Sequence, residues 1–287
     1  MNKKYIIYNP AAGNKTCMEE VDILEIVYDH TISIDINKIS NYRVFLSGLD
    51  RTDMLILCGG DGTLNRFVND TRGIGIPNDL YFYATGWGND FAKDLGRKKG
   101  DEPDFVINQY IGQLPRVTIN GKEKLFVNNV SFGISCSCYD RRRERMSEEK
   151  RDGRLWNVCT AISELLSRRP VDAEILVNGQ QHQLTKVWQI SGMNGRYECG
   201  GMLTAPDRKR LDEKEGLSVV LLHGVGKLGA LKGYLSMLRG KQTKSPKGME
   251  VWKGNDIRIR TETPVFLQVD GDTSTDVKEY QITSAVS

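Results

Sequence analysis

Residues 58–70 read CGGDGTLNRFVND, directly after four apolar residues, Met54-Leu55-Ile56-Leu57. An apolar strand that runs into three glycines around one acid, and then into a helical pattern, predicts a sharp strand-to-helix turn. Glycine lets the backbone turn tightly and come close to a ligand. The free N–H groups and the dipole of the helix that follows favour an anion, most often phosphate. Thr63 adds a hydroxyl. Asp61 is ill suited to touch phosphate itself, so it is expected to hold a metal ion, a water or a ribose hydroxyl.

Two further loops have the same grammar. Asn9-Pro10-Ala11-Ala12-Gly13 follows a first apolar strand, and Thr85-Gly86-Trp87-Gly88-Asn89-Asp90-Phe91-Ala92 follows a fourth and opens a helix. The first third of the chain alternates throughout: strands at 4–8, 31–36, 53–58 and 80–84, with helical patterns at 19–28, 41–49, 64–70 and 88–95. In the helix at 19–28 the apolar residues are Val21, Leu24, Ile26 and Val27. Such alternation implies a parallel sheet with helices on its faces. All three loops then leave the carboxyl edge of the sheet, where ligands bind.

The length of 287 residues suits two domains. From about residue 116 strands dominate, at 116–120, 125–132, 174–178, 182–191, 217–222, 256–260, 265–269 and 279–282. Asn120-Gly121 and Asn178-Gly179 fit tight hairpin turns. Helices are expected at 153–167 and 227–239. The fold class is therefore α/β plus β-rich: a parallel-sheet nucleotide-binding domain over 1–115, a mostly antiparallel β domain over 116–275, and a tail, 276–287, free to return to the first.

Net charge is +3, too small to argue for nucleic acid. No apolar run reaches the roughly 18 residues of a membrane span. The start, MNKKYIIYNPAAG, reads as a strand and a loop rather than a signal peptide. The six cysteines contain no CxxC pair and only three histidines are present, which argues against zinc and for reduced cytosolic thiols.

These stretches resemble the catalytic domain of the diacylglycerol kinase family, which includes bacterial lipid kinases and sphingosine kinases. NPAAG, GGDGTLN and GWGNDFAKDLG resemble its nucleotide loops; FVNNVSFGIS, GGMLTAPDRKRLDEKEGLSVVLL and FLQVDGD resemble motifs of its second domain. The resemblance implies ATP- and magnesium-dependent phosphorylation of a lipid hydroxyl, such as that of diacylglycerol, by a cytoplasmic protein peripheral to the membrane. It implies nucleotide contacts from Asn9, Pro10, Ala11, Ala12 and Gly13, from Gly59, Gly60, Asp61, Gly62, Thr63, Leu64, Asn65 and Arg66, and from Trp87, Asn89 and Asp90. Asp272 would be the general base, with Asp270 its neighbour on one face of an extended segment and Asp61 the third catalytic acid. Magnesium would sit on Asp212, Glu215 and the carbonyl of Leu217. A homodimer is left open.

Three positions depart from the family pattern. Trp87 stands where a threonine is usual, Arg66 where an acid is usual, and Asp272 is one methylene shorter than the usual Glu. A NAD kinase-like phosphotransferase acting on a soluble nucleoside, and a degenerate nucleotide-binding module, are the alternatives. Gly224-Val225-Gly226-Lys227-Leu228-Gly229 matches GxGxxG but lies among antiparallel strands, which weakens a dinucleotide reading. The basic stretches 140–151 and 241–253 suit a solvated face or an anionic membrane surface.

Overall fold

The structure is a computed structural model that describes residues 2–86, 88–136, 162–163, 165, 167–212, 216–240 and 246–285. The chain divides into two compact units, Met1–Gln113 and Leu114–Ser287. The helix expected at 153–167 and the basic stretch 140–151 lie largely outside the described residues.

In the first unit, strands β1 (Lys4–Tyr8), β2 (Thr31–Asp35), β3 (Met54–Gly59) and β4 (Leu80–Ala84) pair in parallel in the order β2-β1-β3-β4. Helices α1 (Cys17–Val27), α2 (Tyr42–Ser47) and α3 (Asp61–Asp70) cross between them, α4 (Asp90–Asp94) follows β4, and α5 (Asn108–Ile111) comes last. The direction of winding reverses between β1 and β3, which makes their carboxyl ends the topological switch point. Strand β3 is buried at every residue from Leu55 to Gly59, as its unbroken apolar run requires. Helix α1 buries Cys17, Val21 and Leu24 against Ile6 and Ile56. Ile26 and Val27, expected in that stripe, are turned away from it, with Ile26 85% exposed.

The second unit is an antiparallel sheet whose path runs β14-β13-β10-β7-β15-β16-β5-β6, with β8 paired to β15 and β9. Its strands are β5 (Arg116–Ile119), β6 (Lys122–Leu125), β7 (Asn129–Gly133), β8 (Val171–Val177), β9 (Gln180–Val187), β10 (Gln189–Met193), β13 (Leu217–Leu222), β14 (Met249–Gly254), β15 (Asp256–Val269) and β16 (Asp272–Thr283). A separate small hairpin pairs β11 (Tyr197–Glu198) with β12 (Met202–Leu203), and α6 spans Lys227–Leu238. Asn120-Gly121 and Asn178-Gly179 have positive φ at both residues, the geometry of the tight hairpin turn expected of them.

Several boundaries move for physical reasons. The strand expected at 125–132 is two, because the N–H groups of residues 127–129 go to a side chain instead of a ladder. The strand expected at 182–191 breaks at Trp188, whose N–H bonds Leu222 O and whose indole N–H bonds Val225 O. The tail expected from residue 276 lies in β16 as far as Thr283: Tyr280–Thr283 pair with β5 and Val277–Thr283 with β15. In the GxGxxG stretch one glycine of the three is closely packed. A Cβ at Gly229 would lie 2.8 Å from Val225, while Gly224 and Gly226 face open space.

Candidate functional site

The three glycine-bearing loops of the first unit meet at the carboxyl edge of its sheet. Asn9 donates its N–H to Cys58 O, and Thr85 and Gly86 donate theirs to Gly59 O. Asn9 Nδ2 donates to Thr63 Oγ1 at 3.0 Å, and Asn9 Oδ1 accepts from Ala11 N at 3.1 Å. The first loop is thus pinned to the helix that starts the second. The backbones also touch directly. A Cβ on Gly86 would lie 2.4 Å from Gly60 Cα, and one on Gly13 would lie 2.5 Å from Thr85 O. A Cβ on Gly59 would collide with Thr63. Only glycine fits these contacts. Gly62 is different: nothing lies within 4 Å of where its Cβ would be. It is the exposed residue of the first turn of α3, the end at which helical N–H groups lack partners within the helix.

Asp61 holds the second loop to the third. Its Oδ2 accepts from Asp90 N at 2.8 Å and its Oδ1 from Phe91 N at 2.9 Å, the first two N–H groups of α4. A carboxylate at a helix N-terminus satisfies orphan donors and complements the dipole. Asn89 precedes it in the left-handed region, φ 48°, and its Nδ2 donates to Gly86 O at 2.7 Å. The carboxylate expected to meet a metal, a water or a ribose is thus engaged by the first turn of a neighbouring helix.

The other expected nucleotide residues divide by exposure. Asn9, Pro10, Ala12 and Gly13 are half-buried around the first loop and Ala11 is exposed. Leu64 and Asn65 are buried. Arg66 is exposed, bonds Asn37 Oδ1 at 2.7 Å and pairs with Asp70 at 3.4 Å. Asp90 is buried. Trp87 lies outside the described residues. Burial pushes the Cys17 and Cys58 thiols up, so both remain protonated and inert near this edge.

In the second unit Asp270 and Gly271 are the central pair of a tight turn that Asp272 closes, so the two acids do not share one face of an extended segment. Asp270 and Gly271 both have positive φ, and Val269 pairs with Asp272 across the turn. Asp270 is buried and accepts from three successive N–H groups: Val127 (2.5 Å), Asn128 (2.7 Å) and Asn129 (2.9 Å). Arg210 braces the same loop, donating to Val127 O and Asn128 Oδ1. Asp272 faces outward, its side chain 66% exposed, with Lys124 Nζ 2.5 Å from its Oδ2. Lys124 carried no sequence signal, because 148 residues separate the pair.

Glu198 is the second residue that the sequence hid. It is fully buried in the β11–β12 hairpin. Its Oε1 accepts from Gln189 Nε2 (2.9 Å), Ser191 Oγ (3.2 Å) and Thr204 Oγ1 (2.9 Å), and its Oε2 from Asn129 Nδ2 (3.3 Å). Burial raises its pKa, while the hydrogen bonds from Thr204, Ser191 and Gln189 act in the opposite direction. Asn129 thus joins two carboxylates, Glu198 through its amide and Asp270 through its backbone.

Of the expected magnesium ligands, Asp212 is half-buried at a turn and Leu217 is the first residue of β13, paired with Gly254. Glu215 lies outside the described residues. No three histidine, cysteine, aspartate or glutamate side chains among the described residues come together as a metal site. No helix among the described residues is long and apolar enough to cross a membrane.

A family model of the diacylglycerol kinase catalytic domain matches residues 3–119, and one of the YegS C-terminal NAD kinase beta sandwich-like domain matches residues 128–282. A diacylglycerol kinase of Mycobacterium tuberculosis is 26% identical over 172 residues, which cover 58% of this chain and 53% of that protein. The match spans only about half the length of that relative. A diacylglycerol kinase of Bacillus subtilis is 23% identical over 289 residues, 95% of this chain and 90% of that protein. The crystal structure of a diacylglycerol kinase from Bacillus anthracis superposes with a TM-score of 0.65 at 20% identity, covering 99% of this chain and 95% of that one. That likeness establishes the fold: a parallel sheet with helices, then a largely antiparallel β unit.

Asp61→Ala removes two charge-assisted bonds that hold α4, each worth about 1.5–3 kcal/mol. Its melting temperature should fall by on the order of 10 °C. An unchanged melt would mean that the carboxylate does not hold this edge together.

Glu198→Gln tests the buried carboxyl. A carboxyl whose pKa is raised on folding contributes stability that is present below its unfolded pKa and is lost as pH rises through the folded one. The glutamine variant lacks this loss, and its oxygen can replace Oε1 before the three donors. It should therefore gain on wild type in urea midpoint as pH rises from 4 to 8. A constant difference across that range would show that Glu198 does not titrate on folding.

Proposed function

Because this chain belongs to the diacylglycerol kinase catalytic-domain family, we propose that it transfers the terminal phosphoryl group of ATP to a hydroxyl of a lipid, diacylglycerol being the first to test. The observation that carries the reading is the convergence of three loops on the carboxyl edge of the parallel sheet, with the first turn of α3 open at Gly62. Phosphoryl transfer is largely a matter of positioning and charge stabilisation. The α3 N-terminus would take phosphate, with the Asn9–Thr63 hydrogen bond holding the first loop beside it. Asp272 would orient the acceptor hydroxyl and accept its proton; Lys124 fixes that carboxylate. Asp270 does not reach the hydroxyl in this scheme: it locks the 127–129 loop and so fixes the turn that carries Asp272. Magnesium would enter as the counter-ion of the nucleotide phosphates, neutralising charge as it develops.

A second reading, transfer to a soluble nucleoside, draws on the NAD kinase-like description of the second domain model. Radiolabel from ATP, offered diacylglycerol vesicles and soluble nucleosides in parallel, separates the two. Label in neither acceptor class would sink both and favour a module that binds nucleotide without turnover.

Two substitutions examine the site. Gly62→Ala places a methyl group in open space, and alanine is the better helix former by about 1 kcal/mol. The fold should be kept or slightly stabilised, while a phosphate seated on that turn is displaced and ATP affinity falls at least tenfold. Native ATP affinity in this variant would move the nucleotide elsewhere.

Asp272→Asn keeps the shape and removes the proton acceptor. The chemical step should slow by about 10²–10⁴-fold with the KM for ATP nearly unchanged. A change confined to ATP binding would make Asp272 a ligand holder instead.

A further inference from the structure

From Gly216 to Met249 the chain contains no Asp or Glu, yet carries Lys227, Lys232, Arg239, Lys241, Lys244 and Lys247. Helix α6 lies within this stretch. Its inner face buries Ala230, Gly233, Tyr234 and Met237. Gly233 approaches Leu222 so closely that a Cβ would lie 2.5 Å from it, so the helix is seated firmly on β13. The opposite face reads Leu228, Lys232, Leu235 and Arg239, at the i, i+4, i+7, i+11 spacing of one straight stripe. Leu228 is 78% exposed, Lys232 and Arg239 are exposed, and Leu235 is half-buried.

We infer that this outer face of α6 docks the protein on an anionic phospholipid bilayer, with the helix lying in the plane of the interface. The inference rests on the lipid-kinase reading for its motive, and on the helix for its geometry. One exposed and one half-buried leucine alternating with bases suit the boundary between acyl chains and headgroups. There the leucine inserts and the long stems of lysine and arginine run along it to reach phosphate. The absence of any acid across the stretch removes the repulsion that an anionic surface would otherwise meet. A protein partner fits less well, because the centres of protein interfaces are depleted in lysine. The basic surface lies upstream of the stretch expected from the sequence: residues 241–245 lie outside the described residues, and Met249–Gly254 form strand β14.

The full-length chain is sedimented with vesicles of phosphatidylcholine alone and of equal parts phosphatidylcholine and phosphatidylglycerol. Wild type should sediment with the mixed vesicles at low salt and not with phosphatidylcholine. The double variant Lys232→Gln, Arg239→Gln should lose about thirtyfold in partitioning, from two bases near the surface. The double variant Leu228→Ser, Leu235→Ser should lose at least tenfold, and both should melt as wild type does. Wild-type chain that ignores mixed vesicles, or variants that sediment as wild type does, would overturn the inference. So would self-association through this face without vesicle binding. Turnover of a short-chain, water-soluble diacylglycerol is measured alongside. If docking alone is lost, that turnover survives in both variants. If wild type turns over no acceptor yet binds vesicles, the lipid-kinase reading fails and the docking surface stands.

Discussion

The carboxylate of Asp61 holding the first two N–H groups of α4 is the contact on which the first unit's site depends. It joins loops that end two adjacent strands, β3 and β4. The Gly60–Gly86 approach closes the same joint from the backbone side. Either alone would leave slack. An acid can reach across only if the backbones are already close, and bare backbones stay in contact only if something charged draws them together. Because both conditions are met by residues within the glycine-rich stretches, those stretches are occupied first with each other. What they leave open is the turn around Gly62.

The second unit uses the same device. Asp270 gathers the N–H groups of Val127, Asn128 and Asn129 as Asp61 gathers those of Asp90 and Phe91. Three N–H groups taken from a strand cannot serve a ladder, so the run 125–132 must break into β6 and β7. That break lets the chain change course just after Lys124, the partner of Asp272. A buried acid thereby places an exposed one: Asp270 fixes the turn and the loop beside it, and Asp272 projects from the start of β16 with its lysine. The two aspartates of one short motif have opposite surroundings because Asp270 is a central, positive-φ residue of the turn, whereas Asp272 closes it and opens β16.

Much of this was legible in one dimension. Parallel strands with intervening helices, loops gathered on one edge and the two Asn-Gly hairpins all follow from local patterns, since each depends on residues near in sequence. The misses share the opposite property. That Asp61 caps α4 depends on a residue 29 positions away, and that Lys124 meets Asp272 on one 148 positions away. Strand β14 was hidden because Met249–Gly254, MEVWKG, breaks strict alternation at Val251-Trp252 and lies in a lysine-rich stretch. Ile26 and Val27 look like core by composition, yet the turn of α1 carries them past the face that Val21 and Leu24 bury. Glu198, one acid between a tyrosine and a cysteine, has no spacing partner at all. Its meaning comes only from the sheet beneath it.

That sheet explains why a buried carboxylate is tolerated there. Ser131 on β7 pairs with Ser191 on β10 and with Gln268 on β15, so one row across three strands is polar on one face. The neighbouring residues Val130, Phe132, Ile190 and Leu267 point to the other face and build the large apolar core. An apolar lid over the polar row would leave hydroxyls and amides unsatisfied, at about 1–3 kcal/mol each. The β11–β12 hairpin meets it instead with an acid that can accept from several donors at once. Burial disfavours the charge on Glu198, and the hydrogen bonds restore part of what burial removes. The arrangement is costly if half made and stable when complete, which favours one seating of the hairpin over all others. Because Asn129 contributes a donor to Glu198 and a backbone N–H to Asp270, that seating is transmitted to the turn bearing Asp272. The polar row is thus the second unit's means of fixing, from inside, where its exposed acid stands.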